Sequence, residues 1–168
     1  EVSEKNRYPD FTASIKMYKS RATSEYYICG DFDEDLKDDF KAGEDIIYGR
    51  FRKNVGIRNE WMLQQAEHDG HDCTVVIPEE SGAGLGEWEQ MRRMFMDEGF
   101  TVKGAKTGNK KGGKGLRFAV FCSAAEQGCV HILPDTFPNQ ATLNAYLKEL
   151  EGFDPDGKSG ATVKDDWV

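Results

Sequence analysis

The segment Thr74–Gly86, which reads TVVIPEESGAGLG, is the part of the sequence on which the fold prediction depends. Its first four residues favour a β-strand and are too few for a helix. Pro78 follows with no backbone N–H to donate, so we expect the strand to end there. Glu79 and Glu80 then stand at the end of a buried strand. Ligands of open α/β sheets bind beyond the carboxyl ends of the strands, which makes these carboxylates candidates for chemistry. The alternative is a solvated polar turn.

The bulk composition indicates one acidic, soluble domain. A length of 168 residues suits a single domain, because domains commonly run roughly 100–200 residues. The formal net charge is −8, so a nucleic-acid partner would need a local basic patch. The four cysteines lack CxxC spacing, which predicts free thiols inside a cell. No apolar run reaches the roughly 20 residues of a membrane span and no signal peptide is recognisable, so we expect a cytoplasmic protein that is not secreted.

The residues around the central strand predict an α/β fold. Further strands are expected at 10–18, 25–32, 100–104 and 129–133, the first two as an antiparallel hairpin. Helices are expected at 55–67, 86–99, 116–127 and 136–150, the last beginning near Asn139. The central strand, the helix at 86–99 and the strand at 100–104 together predict a βαβ unit with parallel strands.

Two groups of polar residues resemble metal sites but have simpler explanations. The acidic run 31–39 lacks the glycine and terminal glutamate of a Ca²⁺ loop, so we interpret it as a solvated face. His68, His71 and Asp72 lie in a predicted helix-to-strand turn, where polar residues are common without any metal.

A basic, glycine-rich segment, KTGNKKGGKG, occupies residues 106–115. It lacks the spacing of a Walker motif, so we predict a mobile basic loop rather than a nucleotide site. Basic side chains of this kind neutralise DNA phosphates. The candidate DNA contacts are Lys106, Lys110, Lys111, Lys114 and Arg117.

A second acidic pair, Asp165 and Asp166, comes near the end of the sequence on a predicted terminal helix. Carboxylates from separate elements can hold two Mg²⁺ or Mn²⁺ ions about 3.5–4 Å apart, which activate a water and stabilise the leaving oxygen of a phosphodiester. Oxygen ligands favour these ions over zinc. Glu79, Glu80, Asp165 and Asp166 therefore form the predicted catalytic and metal-binding set.

Six segments, taken in order, carry a resemblance to a known family. They are AEHDG at 66–70, PEESGAG at 78–84, KGLRF at 114–118, AAEQGCV at 124–130, LKELEGF at 147–153 and KDDWV at 164–168. Together they resemble the C-terminal nuclease domain of bacteriophage terminase large subunits, and the residues at 10–13 are similar to that family's second strand. The resemblance implies an RNase H-like fold, with a mixed central β-sheet flanked by helices on both faces. It also implies a metal-dependent endonuclease that cuts concatemeric double-stranded viral DNA during packaging.

The same resemblance implies partners for the domain. In the family, the nuclease domain is joined to an upstream ATPase domain and works with the portal protein and the small terminase subunit. We therefore expect residues 1–168 to be a single nuclease domain of a longer chain, acting in the cytoplasm of a host cell.

The sequence departs from the family pattern in three places. The family's first catalytic aspartate belongs to a strand that would precede residue 1, so the domain by itself is expected to bind metal weakly. Pro78 stands near the family's glutamate position, which leaves Glu79 or Glu80 as ligand, with Glu80 preferred. Lys164 replaces the histidine of a closing His-Asp-Asp motif, while Asp165 or Asp166 still matches.

Two other functions remain open. The departures at the first strand and at Lys164 favour a non-catalytic RNase H-like module that docks DNA or the portal ring. A resolvase-type nuclease would share the metal chemistry but not the ordered terminase segments.

Overall fold

The computed structural model describes residues 11–37, 42–79, 85–106, 113–153 and 167, and the side chains of 113–117 are outside this set. The strands are β1 (Thr12–Ala13), β2 (Lys16–Lys19), β3 (Tyr26–Cys29), β4 (Arg50–Phe51), β5 (Thr74–Glu79), β6 (Thr101–Lys106) and β7 (Val130–Leu133). The helices are α1 (Val55–Asp69), α2 (Leu85–Asp97), α3 (Gly113–Glu126) and α4 (Gln140–Gly152), with a 3₁₀ turn at Pro134–Thr136. The fold is therefore mixed α/β, as predicted.

The described strands form three small sheets. β3 pairs antiparallel with β2 and parallel with β7, β5 pairs parallel with β6, and β1 pairs antiparallel with β4. The predicted hairpin and the parallel strands of the βαβ unit are confirmed. The single RNase H-like central sheet stays a prediction, because the described strands are divided among three sheets.

The prediction that Pro78 ends the central strand is wrong. β5 continues through Pro78 to Glu79, and these residues pair in register with Ala105 and Lys106 of β6. Proline is tolerated on an edge strand, because its missing N–H is not needed on the open side. Within the described residues β5 pairs with β6 alone, so its other edge has no partner strand and can accommodate a proline.

Two other predicted boundaries also change. The strand expected over 10–18 divides into β1 and β2, because Ser14 between them donates its backbone N–H to Gly49 O at 2.9 Å and turns the chain toward β4. Both ends of the basic loop expected over 106–115 are in regular elements, since Lys106 ends β6 and α3 begins at Gly113, and residues 107–112 lie outside the described part of the chain. The glycines in the first turn of α3 have low helix propensity, so the sequence pattern did not predict a helix that begins at Gly113.

The remaining helices begin and end at residues that the sequence marks. Asn54 caps α1 by accepting the backbone N–H of Ile57 at 3.1 Å, and Asn139 caps α4 by accepting that of Thr142 at 2.7 Å. Gly70 follows α1 with a φ of 86°, a conformation that favours glycine. The four cysteines are free, as predicted.

Buried apolar side chains form two separate cores. The first core contains Ile28, Phe32, Tyr48, Phe137, Leu143, Tyr146 and Trp167. The second core contains Ala66, Ile77, Phe95 and Phe100. The first belongs to the three-stranded sheet and α4, and the second belongs to α1, α2 and the parallel pair β5–β6.

Candidate functional site

A cavity of about 970 Å³ lies between the two cores. Residues 11–15 and Met17, from β1 and β2, line one part of its wall, and residues 74–78 of β5 line another. Within the described ranges β2 pairs with β3 alone and β5 with β6 alone. Two strands with an unpaired edge therefore border one cavity.

Glu79, the first predicted carboxylate, ends β5 and is half-buried. Side chains alternate along a strand, so Glu79 lies on the same face as Ile77 of the second core. Its carboxylate lies close to Gly104. If Gly104 carried a Cβ atom, that atom would be 2.8 Å from Glu79 Oε2 and 3.0 Å from Trp88 Cζ2. Glu79 is thus packed over β6 beside the Trp88 ring, whereas Pro78 lines the cavity.

Several predicted site residues lie outside the described part of the chain. They are Glu80, Asp165, Asp166, Lys110 and Lys111. Lys114 and Arg117 are described for their backbone, which belongs to α3. Lys106 is exposed at the last position of β6, in register with Glu79. Of the predicted set, the structure therefore brings together Glu79 and Lys106 at one end of the parallel pair.

Trp167, which follows the second acidic pair, is fixed in the first core. Its backbone N–H donates to Glu149 Oε2 at 3.0 Å, and its indole N–H donates to Ser14 O at 3.0 Å. Its ring meets that of Tyr146 edge-on, with 5.8 Å between the ring centroids. Trp167 also lines the cavity. The chain therefore reaches the cavity wall at the residue immediately after Asp166.

A polar cluster that the sequence did not reveal connects β2 to the end of α1. Lys16 Nζ donates to Asp31 Oδ2 at 2.8 Å and lies 3.2 Å from Asp69 Oδ1, with its side chain 9% exposed. His68 Nε2 lies 3.0 Å from Asp31 Oδ1, and Gln65 donates to Asp31 O and to Asp69. The acidic run was interpreted as a solvated face, but Asp31 in that run is an ion-pair partner.

The cluster changes the pKa of each of its main charged groups. Hydrogen bonds from Lys16 and His68 lower the pKa of Asp31, whereas burial raises that of Asp69. Burial acts to lower the pKa of Lys16, but its hydrogen bonds with Asp31 and Asp69 outweigh burial and raise it. The lysine therefore stays charged and holds the helix end against the hairpin.

The histidines near the second core have structural partners. His71 Nε2 lies 3.0 Å from Glu98 O, and its ring stacks on Phe100 with centroids 4.2 Å apart. His68 contacts Asp31, as described above. Across the described ranges, no three His, Cys, Asp or Glu side chains form a group suited to a metal ion.

Within the described ranges, the chain has a mixed α/β fold in which β2 and β5 each border the cavity with one unpaired edge. None of the helices in the described ranges has the length and apolar character needed to cross a membrane. Comparisons with protein-family models, with curated proteins and with solved structures find no match to this chain.

Proposed function

We propose that this chain is the metal-dependent endonuclease domain of a phage DNA-packaging terminase large subunit. It would hydrolyse phosphodiester bonds of concatemeric double-stranded viral DNA with two divalent cations, Mg²⁺ or Mn²⁺. One observation carries the proposal: both acidic pairs are next in sequence to residues of the same cavity wall. Pro78 comes immediately before Glu79 and Glu80, and Trp167 comes immediately after Asp165 and Asp166.

The RNase H-like fold is part of the same proposal. The family resemblance implies a further strand upstream, and we propose that it lies in the cavity bordered by β2 and β5. A strand that pairs with both open edges would join the three-stranded sheet to the parallel pair. It would also cover Met17 and Val76, which are 58% and 60% exposed although both are apolar.

The proposed ligands are Glu80, which follows the last residue of β5 in the sequence, and Asp166, or its neighbour Asp165. Glu80 is preferred to Glu79, because the carboxylate of Glu79 is already packed against Gly104. A set of carboxylate oxygens suits Mg²⁺ or Mn²⁺. When bound, such ions would activate a water and stabilise the leaving oxygen.

The chain's own basic residues would hold the DNA. Lys106 is exposed beside the end of β5, and the residues that follow it supply Lys110, Lys111, Lys114 and Arg117. Each lysine or arginine would neutralise a phosphate and offset the negative charge of the domain locally. The upstream ATPase domain, the portal protein, the small terminase subunit and the host cytoplasm belong to this proposal as implications of the family resemblance.

A non-catalytic module that docks DNA or the portal is the second candidate. It is favoured by the packing of Glu79 over Gly104, because Glu79, the one predicted carboxylate within the described residues, is not part of the cavity wall. Such a module would bind its partner without cleaving DNA.

The two candidates are separated by Mn²⁺-dependent nicking of supercoiled plasmid. The protein to use is the chain extended upstream to include the implied first strand. We expect nicking by this protein and none by Glu80→Ala or Asp166→Ala, whereas Asp97→Ala, at the exposed end of α2, should nick normally. No nicking by the parent, or equal nicking by all of these proteins, would reject the nuclease.

A further inference from the structure

Two arginine side chains contact the same aromatic ring at the cavity wall. The guanidinium carbon of Arg52 lies 3.7 Å from the centroid of the Phe11 ring, and that of Arg50 lies 4.8 Å from it. Phe11 lines the cavity, and so does Trp167, whose ring centroid is 4.9 Å from the guanidinium carbon of Arg50. Both cations are therefore in contact with residues of the cavity wall.

One of these two arginines has its charge balanced by a carboxylate. Arg50 Nη1 donates to Oε1 of the buried Glu149, whose other oxygen accepts the backbone N–H of Trp167 at 3.0 Å. Arg52 takes part in none of the ion pairs that the described residues form with one another. The second positive charge at the Phe11 ring is thus left for another anion to balance.

Arg52 also has a hydrogen-bond donor without an acceptor. Its Nε is buried, and no group in the described part of the chain accepts its proton. Buried polar atoms nearly always have a partner, and an exception calls for an explanation such as a bound water or ion. Because the guanidinium already stacks on the Phe11 ring, binding an anion would cost little further ordering of the side chain.

The residues that follow Arg52 add positive charge. Lys53 comes next, with its Nζ 4.8 Å from the centroid of the Trp61 ring. Helix α1 then begins without an acidic residue in its first turn, and Arg58 on that helix is paired with Glu87 at 2.6 Å. The start of α1 therefore supplies no carboxylate from its first turn that would compete with an anion for Arg52.

We propose that Arg52 binds a phosphate of the DNA backbone beside the cavity. A guanidinium can donate two parallel hydrogen bonds to a phosphate, which makes arginine well suited to this ligand. This inference rests on the proposed function, because it takes DNA as the source of the phosphate. The DNA contacts predicted from the sequence all lie between residues 106 and 117, so Arg52 adds a contact from a separate segment of the chain.

The test is the salt dependence of DNA binding by the chain extended upstream to include the implied first strand. A fluorescein-labelled duplex is titrated in EDTA, so that it is bound but not cleaved, and anisotropy gives the affinity. Each phosphate contact contributes about 0.9 to the slope of log affinity against log salt concentration, and we expect Arg52→Gln to lower the slope by that amount. Arg52→Lys should keep the slope, since an ammonium also neutralises a phosphate.

Arg21→Gln is the matched control, because Arg21 is an exposed arginine in the turn between β2 and β3. It should leave the slope unchanged, and circular dichroism checks that each variant is folded. If Arg52→Gln does not fold, NMR of the unaltered protein replaces it. The Nε–H signal of Arg52 should then shift when the duplex is added, and the absence of a shift would overturn the inference.

The remaining outcomes separate this inference from the function on which it rests. An unchanged slope in folded Arg52→Gln, or an equal loss of slope in Arg52→Lys, would overturn the phosphate contact and leave the nuclease proposal intact. No binding of the duplex by the unaltered protein would also overturn the contact, and the plasmid-nicking assay would then decide the nuclease proposal by itself. A fluorescent ATP analogue distinguishes the sources of phosphate, since a loss of affinity in Arg52→Gln for the nucleotide alone would overturn DNA as the ligand.

Discussion

Lys16 on β2 and Asp69 at the end of α1 form an ion pair between the two halves of the fold, with 3.2 Å between Nζ and Oδ1. Lys16 belongs to the three-stranded sheet, whereas α1 contributes Ala66 to the second core. Asp69 also lines the cavity between the cores. The pair therefore connects the halves beside the space that separates them.

Replacing Lys16 by methionine should destabilise the domain. Asp69, whose side chain is 20% exposed, would lose its cationic partner, and Asp31 would lose its hydrogen bond. We expect the free energy of unfolding to fall by about 1.5–3 kcal/mol, as measured by urea denaturation. Lys19→Met is the control, since Lys19 is an exposed lysine of the same strand. Equal losses in both variants would contradict the role given to Lys16.

The two aspartates of the cluster should affect the pH dependence of stability in opposite senses. The pKa of Asp31 is lowered in the folded state, so its contribution is present above the ordinary value of 3.8 and is lost as pH falls further. The pKa of Asp69 is raised, so its contribution is present below 3.8 and is lost as pH rises through the folded-state pKa.

Thermal unfolding between pH 2.5 and 6 measures both effects. Asp31→Asn should flatten the loss of stability below pH 3.8. Asp69 should make the domain less stable as pH rises above 3.8, and Asp69→Asn should remove this loss of stability. Parallel curves for the two variants would show that the cluster does not control the titration of either group.

Gly104→Ala should perturb the contact between Glu79 and Trp88. The added Cβ would lie 2.8 Å from Glu79 Oε2, so that carboxylate would have to move, and 3.0 Å from Trp88 Cζ2, which is a tight contact. We expect a loss of about 1–3 kcal/mol in urea denaturation, with a change in tryptophan fluorescence. Glu79→Ala should reduce this loss in the double variant, because the carboxylate is one of the two clashes. Strictly additive losses would show that Glu79 does not pack over Gly104 in solution.

The basic residues should determine the salt dependence of DNA binding. For duplex DNA, each phosphate contact contributes about 0.9 to the slope of log affinity against log salt concentration. Replacing Lys106, Lys110, Lys111 and Lys114 by glutamine should therefore reduce that slope, as measured by fluorescence anisotropy. Lys19 and Lys148 lie on other elements, and the same changes there should have little effect. An unchanged slope in the first variant would refute the phosphate contacts.

Local patterns in the sequence predicted the elements but not how they meet. The caps at Asn54 and Asn139 and the glycine at Gly70 set helix ends through contacts within a few residues, so these ends were predictable. Pro78 was misjudged because its effect depends on whether β5 is an edge strand, which is a property of the sheet.

The candidate site was predictable in part, for the same physical reason. β5 ends at Glu79, two residues later than predicted, and its last residue is in register with Lys106 of the predicted basic segment. The packing of Glu79 over Gly104 and the contact between Glu149 and Trp167 join residues at least 18 positions apart. Contacts of this range depend on the tertiary fold and leave no periodic signal in one sequence.

The cavity between the two cores also affects how the domain unfolds. Cooperative unfolding requires continuous packing, and here each core has its own strands and helices, with a space of about 970 Å³ between them. We therefore expect two unfolding transitions, visible in hydrogen exchange as faster opening of the β5–β6 half or of the α4 half. A strand that fills the cavity would merge them into one transition. The presence of such a strand would therefore determine whether the two halves of the fold unfold together or separately on heating.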